Sequence, residues 1–121
     1  MQRTAALLLL FAGLIPSASC AERLSKWRAV WHVSQVFLAG AETADVASSW
    51  GKNEANPLVR AGQRFSYGSV AIKLGAFAGS LTAQHFILRR NPERLPVFAS
   101  ANLAAAAMLG IVAHRNMQVP R

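Results

Sequence analysis

Three long apolar runs, each bounded by lysine or arginine, constrain the fold of this chain more than any other feature. They cover residues 29–51, 65–88 and 95–114, which is 23, 24 and 20 residues. A helix needs about 20 residues to cross the hydrocarbon core of a bilayer, and cations at the headgroup level are typical of polytopic membrane proteins. We therefore predict an all-α fold, a bundle of three transmembrane helices with short loops. The predicted helices are residues 27–50, 66–89 and 95–114.

The first 21 residues have the features of a secretory signal peptide. A basic start is followed by an apolar segment over residues 5–15 and by small residues before a cleavage point after Ala21. The segment could also stay uncleaved as an anchor, or Cys20 could become a lipidated first residue. We therefore divide the chain into a signal peptide, residues 1–21, and a membrane domain, residues 22–121.

The composition favours a membrane protein over a nucleic-acid-binding one. The formal charge is +8 and 53% of residues are hydrophobic. The cations bracket the apolar runs instead of forming one stripe, so no nucleic-acid partner is expected. Counting cations does not decide the orientation. The leader favours the bacterial inner membrane with a periplasmic mature N-terminus. Because the runs are rich in Ala, Gly and Ser, a secreted soluble helical binding protein remains an alternative.

Two carboxylates interrupt the first run. Glu42, Asp45 and Ser49 share a face of a helix, and an acid near the centre of a spanning helix costs about 2.5–3.5 kcal/mol. Lys73, the only charge of the second run, could reach one membrane interface or pair with Glu42 or Asp45 across the bundle. The loop after the first helix could fold back onto this face. The predicted buried polar cluster consists of Glu42, Asp45, Ser49, Glu54, Asn56 and Lys73.

Small residues recur every four positions in the second run, at Ala71, Gly75, Gly79 and Ala83. Gly75 and Gly79 form a GxxxG motif, which allows two helices to approach closely. We predict that this face is a helix-packing surface. A homo-oligomer or other membrane helices are the expected partners there, in addition to membrane lipid.

The third run contributes one more polar position. Asn102, Ala106, Gly110 and His114 share a face at spacings of four, and Asn102 could form a hydrogen bond across helices. Aromatic belts at the headgroup level account for the three tryptophans. These are Trp27, Trp31 and Trp50.

No motif indicates catalysis or a cofactor. The chain has no HExxH, CxxC or GxSxG pattern. Glu42 and Asp45 with His85 could bind a metal ion, and Ser69 with Lys73 resembles a Ser–Lys dyad, but neither spacing is specific. We expect no enzymatic activity, no metal and no cofactor.

The pattern Asp45-x-x-Ser48-Ser49, followed by Glu54-x-Asn56-Pro57, resembles an uncharacterised family of small bacterial multi-helix membrane proteins. The resemblance covers roughly residues 35–113. It implies a polytopic membrane location and brings no activity with it.

We therefore expect a non-enzymatic structural, interaction or accessory subunit of the membrane. The alternative is a small transporter or an ion- or proton-binding membrane subunit that uses Glu42, Asp45 and Lys73.

Overall fold

The described part of the chain is all-helical, as predicted. The computed structural model describes residues 19–52 and 64–120. Residues 1–18, which make up most of the predicted signal peptide, lie outside this part. A single 3-10 turn joins the second and third helices. The helices are α1 (Cys20–Ser49), α2 (Tyr67–Arg90) and α3 (Leu95–Gln118), and the 3-10 turn is Pro92–Arg94.

Helix α1 begins seven residues earlier than the predicted residue 27, because its polar first turns are well capped. The Ser19 hydroxyl oxygen accepts a hydrogen bond from the Glu22 backbone N–H at 3.3 Å, which satisfies a free donor of the first turn. The Glu22 carboxylate also pairs with Lys26 at 2.9 Å, one turn along the helix. The helix ends before Gly51, whose φ of 72° places it in the left-handed region that favours glycine.

The turn between α2 and α3 follows the predicted Asn-Pro signal. Helix α2 ends at Arg90, and the Asn91 backbone N–H donates to the Ile87 carbonyl at 2.8 Å. Pro92 then starts the 3-10 turn, and Pro96 lies in the first turn of α3. Proline is tolerated there because a first-turn N–H has no helical partner.

Helices α1 and α3 lie side by side and run parallel, while α2 runs antiparallel to both. Ser34 of α1 lies level with Asn102 of α3, and Ser49 lies level with Asn116. The Cα atoms of α1 and α3 come within 8 Å along the contact, whereas those of α2 rarely come this close to either helix. Helix α2 is therefore joined to the pair mainly by long side chains.

The inner face of α3 follows a seven-residue repeat. Steps of four and three residues connect its buried or half-buried positions, which is the spacing that keeps one face turned toward a neighbouring helix. These positions are Leu95, Ala99, Asn102, Ala106, Leu109, Ala113 and Asn116. Gly110 and His114 are exposed, which corrects the predicted face with spacings of four. Each four-residue step turns about 40° past a full turn, so that face drifts away from α1.

The small residues of α2 do not pack within the described chain. Ala71, Gly75, Gly79 and Ala83 are all exposed, and a Cβ atom added to either glycine would meet no atom within 4 Å. The inner face of α2 instead carries larger and more polar residues. The expected contact of the small-residue stripe with a partner helix stays a prediction.

One helical segment in the described residues is long and apolar enough to cross a membrane. It is Pro92–Gln118, with 27 residues, and its most apolar 18-residue stretch has a mean hydropathy of 1.9. The remaining helices are interrupted by charged or polar residues, Glu42 and Asp45 in α1 and Lys73 in α2 among them. Composition therefore supports one of the three predicted spans.

Large apolar side chains are mostly on the outside of the bundle. The apolar core is one small cluster of Trp31, Leu88, Leu95 and Ala99. Sixteen large hydrophobic residues of the described chain are exposed; fourteen lie on the three helices, and Trp50 and Val119 directly follow a helix end. The most exposed of them are Val36, Phe37, Tyr67, Phe86, Val97, Met108 and Met117.

Candidate functional site

The first of two buried polar clusters joins all three helices and is here called the Asp45 cluster. Asp45 of α1 is only 1% exposed, and one of its carboxylate oxygens pairs with the Lys73 ammonium of α2. The Asn116 side-chain amide of α3 donates to the second Asp45 oxygen at 3.4 Å and to the Ser49 hydroxyl at 2.9 Å. A buried carboxylate is stable only when it is paired and hydrogen-bonded, and here two helices supply its partners.

Backbone pairing after α1 completes the surroundings of this cluster. The Phe65 backbone N–H donates to the Lys52 carbonyl at 2.7 Å, and the Gly51 N–H donates to the Phe65 carbonyl at 3.2 Å. This holds the buried Phe65 ring 5.5 Å from the Lys73 ammonium, within the range of a cation–π interaction. The Lys52 ammonium donates to the Asn116 backbone carbonyl. Lys73 thus has both an anion and an aromatic ring as neighbours.

The second cluster, here called the Gln84 cluster, is uncharged. The Gln84 side-chain amide donates to Asn102 Oδ1 at 2.8 Å, and Asn102 Nδ2 donates back to Gln84 Oε1 at 3.0 Å. The Trp31 indole N–H donates to the same Gln84 oxygen at 2.9 Å, and Asn102 Nδ2 also donates to the Ser34 hydroxyl at 3.2 Å. Ser34 in turn donates to the Trp31 carbonyl at 2.6 Å. The cluster therefore links α1, α2 and α3 at a second level.

The two clusters are separate. Ser34 and Asp45 lie eleven residues apart on α1, which corresponds to about 16 Å along the axis. Buried Leu38 lies between them, and no hydrogen bond between described residues connects them. In residues 19–52 and 64–120, every buried side-chain nitrogen or oxygen has a partner. The clusters hold the helices at two levels without forming a continuous polar path.

The predicted polar cluster is present in part. Asp45, Ser49 and Lys73 lie together, and Lys73 pairs with Asp45 instead of Glu42. Glu42 is half-buried and has no salt bridge with a described residue. The remaining two predicted members, Glu54 and Asn56, lie outside the described residues.

Asn116 was missed because the third helix was predicted to end at residue 114. It lies two seven-residue repeats after Asn102, and this spacing is a signal that could have identified it. Asn102 itself forms the predicted hydrogen bonds across helices. The aromatic-belt prediction is wrong for Trp31, which is 6% exposed and donates to Gln84.

Two surface cavities lie at opposite ends of the bundle. The larger, of about 470 Å³, lies beside Lys52 and is mainly apolar. The smaller, of about 270 Å³, lies beside Arg28, His85 and Arg89. No group of three or more His, Cys, Asp or Glu side chains in the described part of the chain could hold a metal ion.

Comparisons with family models, with curated proteins and with solved structures find no match. The resemblance to small bacterial membrane proteins therefore stays a prediction.

Proposed function

We propose that this chain is a small polytopic membrane protein with a non-enzymatic structural or accessory role. The observation that supports this most is that the described interior is about half polar, while most large apolar side chains of the described residues lie on the outside. In residues 19–52 and 64–120, six polar or charged side chains are buried, beside seven apolar ones, while sixteen large hydrophobic residues are exposed. The buried polar residues are Ser34, Asp45, Ser49, Ser69, Gln84 and Asn102.

This distribution favours a hydrocarbon surrounding over water. A soluble domain buries its large apolar side chains because their transfer from water is its main source of stability. In a bilayer that driving force is absent between helices, so polar side chains bond across the bundle and apolar ones face lipid. The candidate span Pro92–Gln118 agrees with this, since only 17% of its most apolar 18-residue stretch is buried inside the bundle. The leader and the family resemblance support a bacterial inner membrane with a periplasmic mature N-terminus.

A structural role accounts for both clusters. The Asp45–Lys73 pair is neutral overall and is shared by α1 and α2, and Asn116 adds α3. The Gln84 cluster repeats this three-helix connection without charge. Fully satisfied polar networks specify one arrangement of helices, whereas a relay needs connected sites that exchange protons or ions.

Membrane extraction tests the location. Membranes from cells that express the full chain are washed with carbonate at high pH, which releases peripheral proteins and keeps integral ones. We expect the chain in the membrane pellet and in the detergent extract. Release into the wash would contradict the proposal and favour the secreted soluble helical binding protein.

The second candidate is a small transporter or an ion- or proton-binding subunit. One observation favours it: Glu42 is a half-buried carboxylate one turn from Asp45, without a salt bridge to a described residue. The substitution Asp45→Asn separates the two candidates, with Glu42→Gln as the second variant. A structural pair predicts reduced abundance of Asp45→Asn. Normal abundance of both variants, with loss of ion or proton flux in reconstituted vesicles, would favour the transporter.

A further inference from the structure

The smaller cavity is lined by three basic side chains from two helices. Arg28 projects from α1, and His85 and Arg89 project from α2, one turn apart. We propose that this cavity, of about 270 Å³, binds the phosphate group of an anionic phospholipid. Arginine presents paired N–H donors that match phosphate oxygens, and imidazole adds a further donor.

The two arginines have no carboxylate partner in residues 19–52 and 64–120. Glu22, the nearest acid on α1 in sequence, pairs with Lys26. Glu93 lies in the 3-10 turn, is exposed and makes no salt bridge with a described cation. The charges of Arg28 and Arg89 are therefore available to an external anion.

The floor of the cavity is apolar, and this favours a lipid over a free phosphate ion. Trp31, Leu88 and Leu95 line it, and all three are at least nine-tenths buried. A free ion gains nothing from these side chains. A phospholipid places its glycerol backbone and the first carbons of its acyl chains beside them while its phosphate meets the arginines. Basic pockets between membrane helices are a known kind of site for phosphate-bearing lipid headgroups.

The place of the cavity in the bundle fits a phospholipid. This inference rests on the membrane location proposed above. The cavity lies where α1 starts, α2 ends and α3 starts, which places it at one end of the bundle. Six lysines and arginines lie in the segments 20–31 and 85–99 that form this end, against two carboxylates. The basic residues are Arg23, Lys26, Arg28, Arg89, Arg90 and Arg94.

Native mass spectrometry of the full chain in a neutral detergent tests the site. Phosphatidylglycerol is the anionic probe, and diacylglycerol with the same acyl chains lacks the phosphate. We expect one retained phosphatidylglycerol per chain and no retained diacylglycerol. Each of Arg28→Gln and Arg89→Gln should weaken retention about tenfold, which is typical for loss of a charge-assisted hydrogen bond.

Matched variants remove equal charge outside the cavity. Arg23→Gln on α1 and Arg90→Gln on α2 should retain the lipid as the unmodified chain does, because neither residue lines the cavity. Equal losses in all four variants would overturn the site in favour of general charge attraction. Full displacement by millimolar inorganic phosphate would overturn the lipid as occupant.

The lipid assay and the carbonate wash fail independently. This inference alone is overturned if the chain stays in washed membranes but Arg28→Gln and Arg89→Gln retain phosphatidylglycerol as well as the unmodified chain does. A chain released by carbonate overturns the membrane location itself.

Discussion

Gln84 and Asn102 each use both ends of their side-chain amide inside the bundle. Each donates to the other's oxygen, so the pair forms two hydrogen bonds of 2.8 and 3.0 Å between α2 and α3. Trp31 and Ser34 then connect the pair to α1. Such reciprocal geometry fixes the helical register, because a shift of one helix by one residue would break both bonds.

We predict that Asn102→Ala lowers the free energy of unfolding by about 1–3 kcal/mol. The reason is that the buried Gln84 amide loses two hydrogen bonds and keeps only those with Trp31 and Ser80. Unfolding of the purified chain in mixed detergent micelles measures the change. The control Thr43→Val removes an exposed hydroxyl that bonds within its own helix, and it should change stability by less than about 0.5 kcal/mol. Equal effects of the two variants would contradict the role of the Gln84 cluster.

The Asp45–Lys73 pair allows a double-mutant test. Removal of one partner leaves a buried charge, so Asp45→Asn and Lys73→Met should each destabilise the bundle by about 3 kcal/mol. The double variant should be much closer to the unmodified chain, because no uncompensated charge remains. Additive losses in the same micelle unfolding assay would show that the two residues do not act as a pair.

At the level of the helices, the contact between α1 and α3 depends on small side chains at the positions of the seven-residue repeat. Ala99 is 0% exposed and packs with Trp31, Leu88 and Leu95. A larger side chain at this fully buried position has to displace these neighbours. The neighbouring Ala101 is exposed.

We predict that Ala99→Leu destabilises the bundle by about 1–3 kcal/mol, the usual cost of overpacking a filled core. Ala101→Leu makes the same chemical change on the outer face of α3 and should be nearly neutral. Thermal unfolding of both variants in detergent provides the comparison. A neutral Ala99→Leu would mean that α1 and α3 pack less closely than described.

The number, type and order of the helices could be predicted from the apolar runs, and so could several residues of the site. Asp45, Ser49 and Lys73 were identified because a charge in an apolar helix needs a partner. Which residues of α3 face α1 could not be predicted from spacings of four, as the exposed Gly110 and His114 show. Which face of a helix meets its neighbour depends on the small difference between the 3.6 residues per turn of a straight helix and the 3.5-residue repeat of packed helices. The sequence position of Trp31 does not reveal that Gln84 accepts a hydrogen bond from its indole N–H. The sequence therefore predicts a membrane interface for Trp31, whereas it lies inside the bundle.

Across the whole molecule, the three helices are unequally joined. Helices α1 and α3 touch along their length, while α2 is linked to them mainly through Lys73 and Gln84. The small-residue stripe of α2 faces away from the pair. This leaves the stripe accessible to a second copy or to another membrane helix.

We expect copies of this chain to associate through the stripe, and we predict that the paired substitution Gly75→Leu and Gly79→Leu abolishes this association and leaves the single chain folded. A Cβ atom added to either glycine would meet no atom within 4 Å, and leucine favours a helix over glycine by about 0.8 kcal/mol per residue. Crosslinking in membranes measures association, and micelle unfolding measures stability. Unchanged crosslinking would place any contact between copies elsewhere. Loss of stability would show that the stripe packs within the chain.

The closest neighbours in this bundle, α1 and α3, are separated along the chain by the whole of α2. Asn116 of α3 donates hydrogen bonds to both Asp45 and Ser49 of α1. In the proposed membrane insertion, α1 and α2 therefore reach the translocon before Asn116 is made. Before α3 is made, Lys73 is the one partner among the described residues that the Asp45 carboxylate can have. The Ser34 hydroxyl then lacks the amide N–H that Asn102 donates. With the membrane location proposed above, we therefore expect assembly to finish late in synthesis, and a chain cut before α3 to be a substrate for membrane quality control.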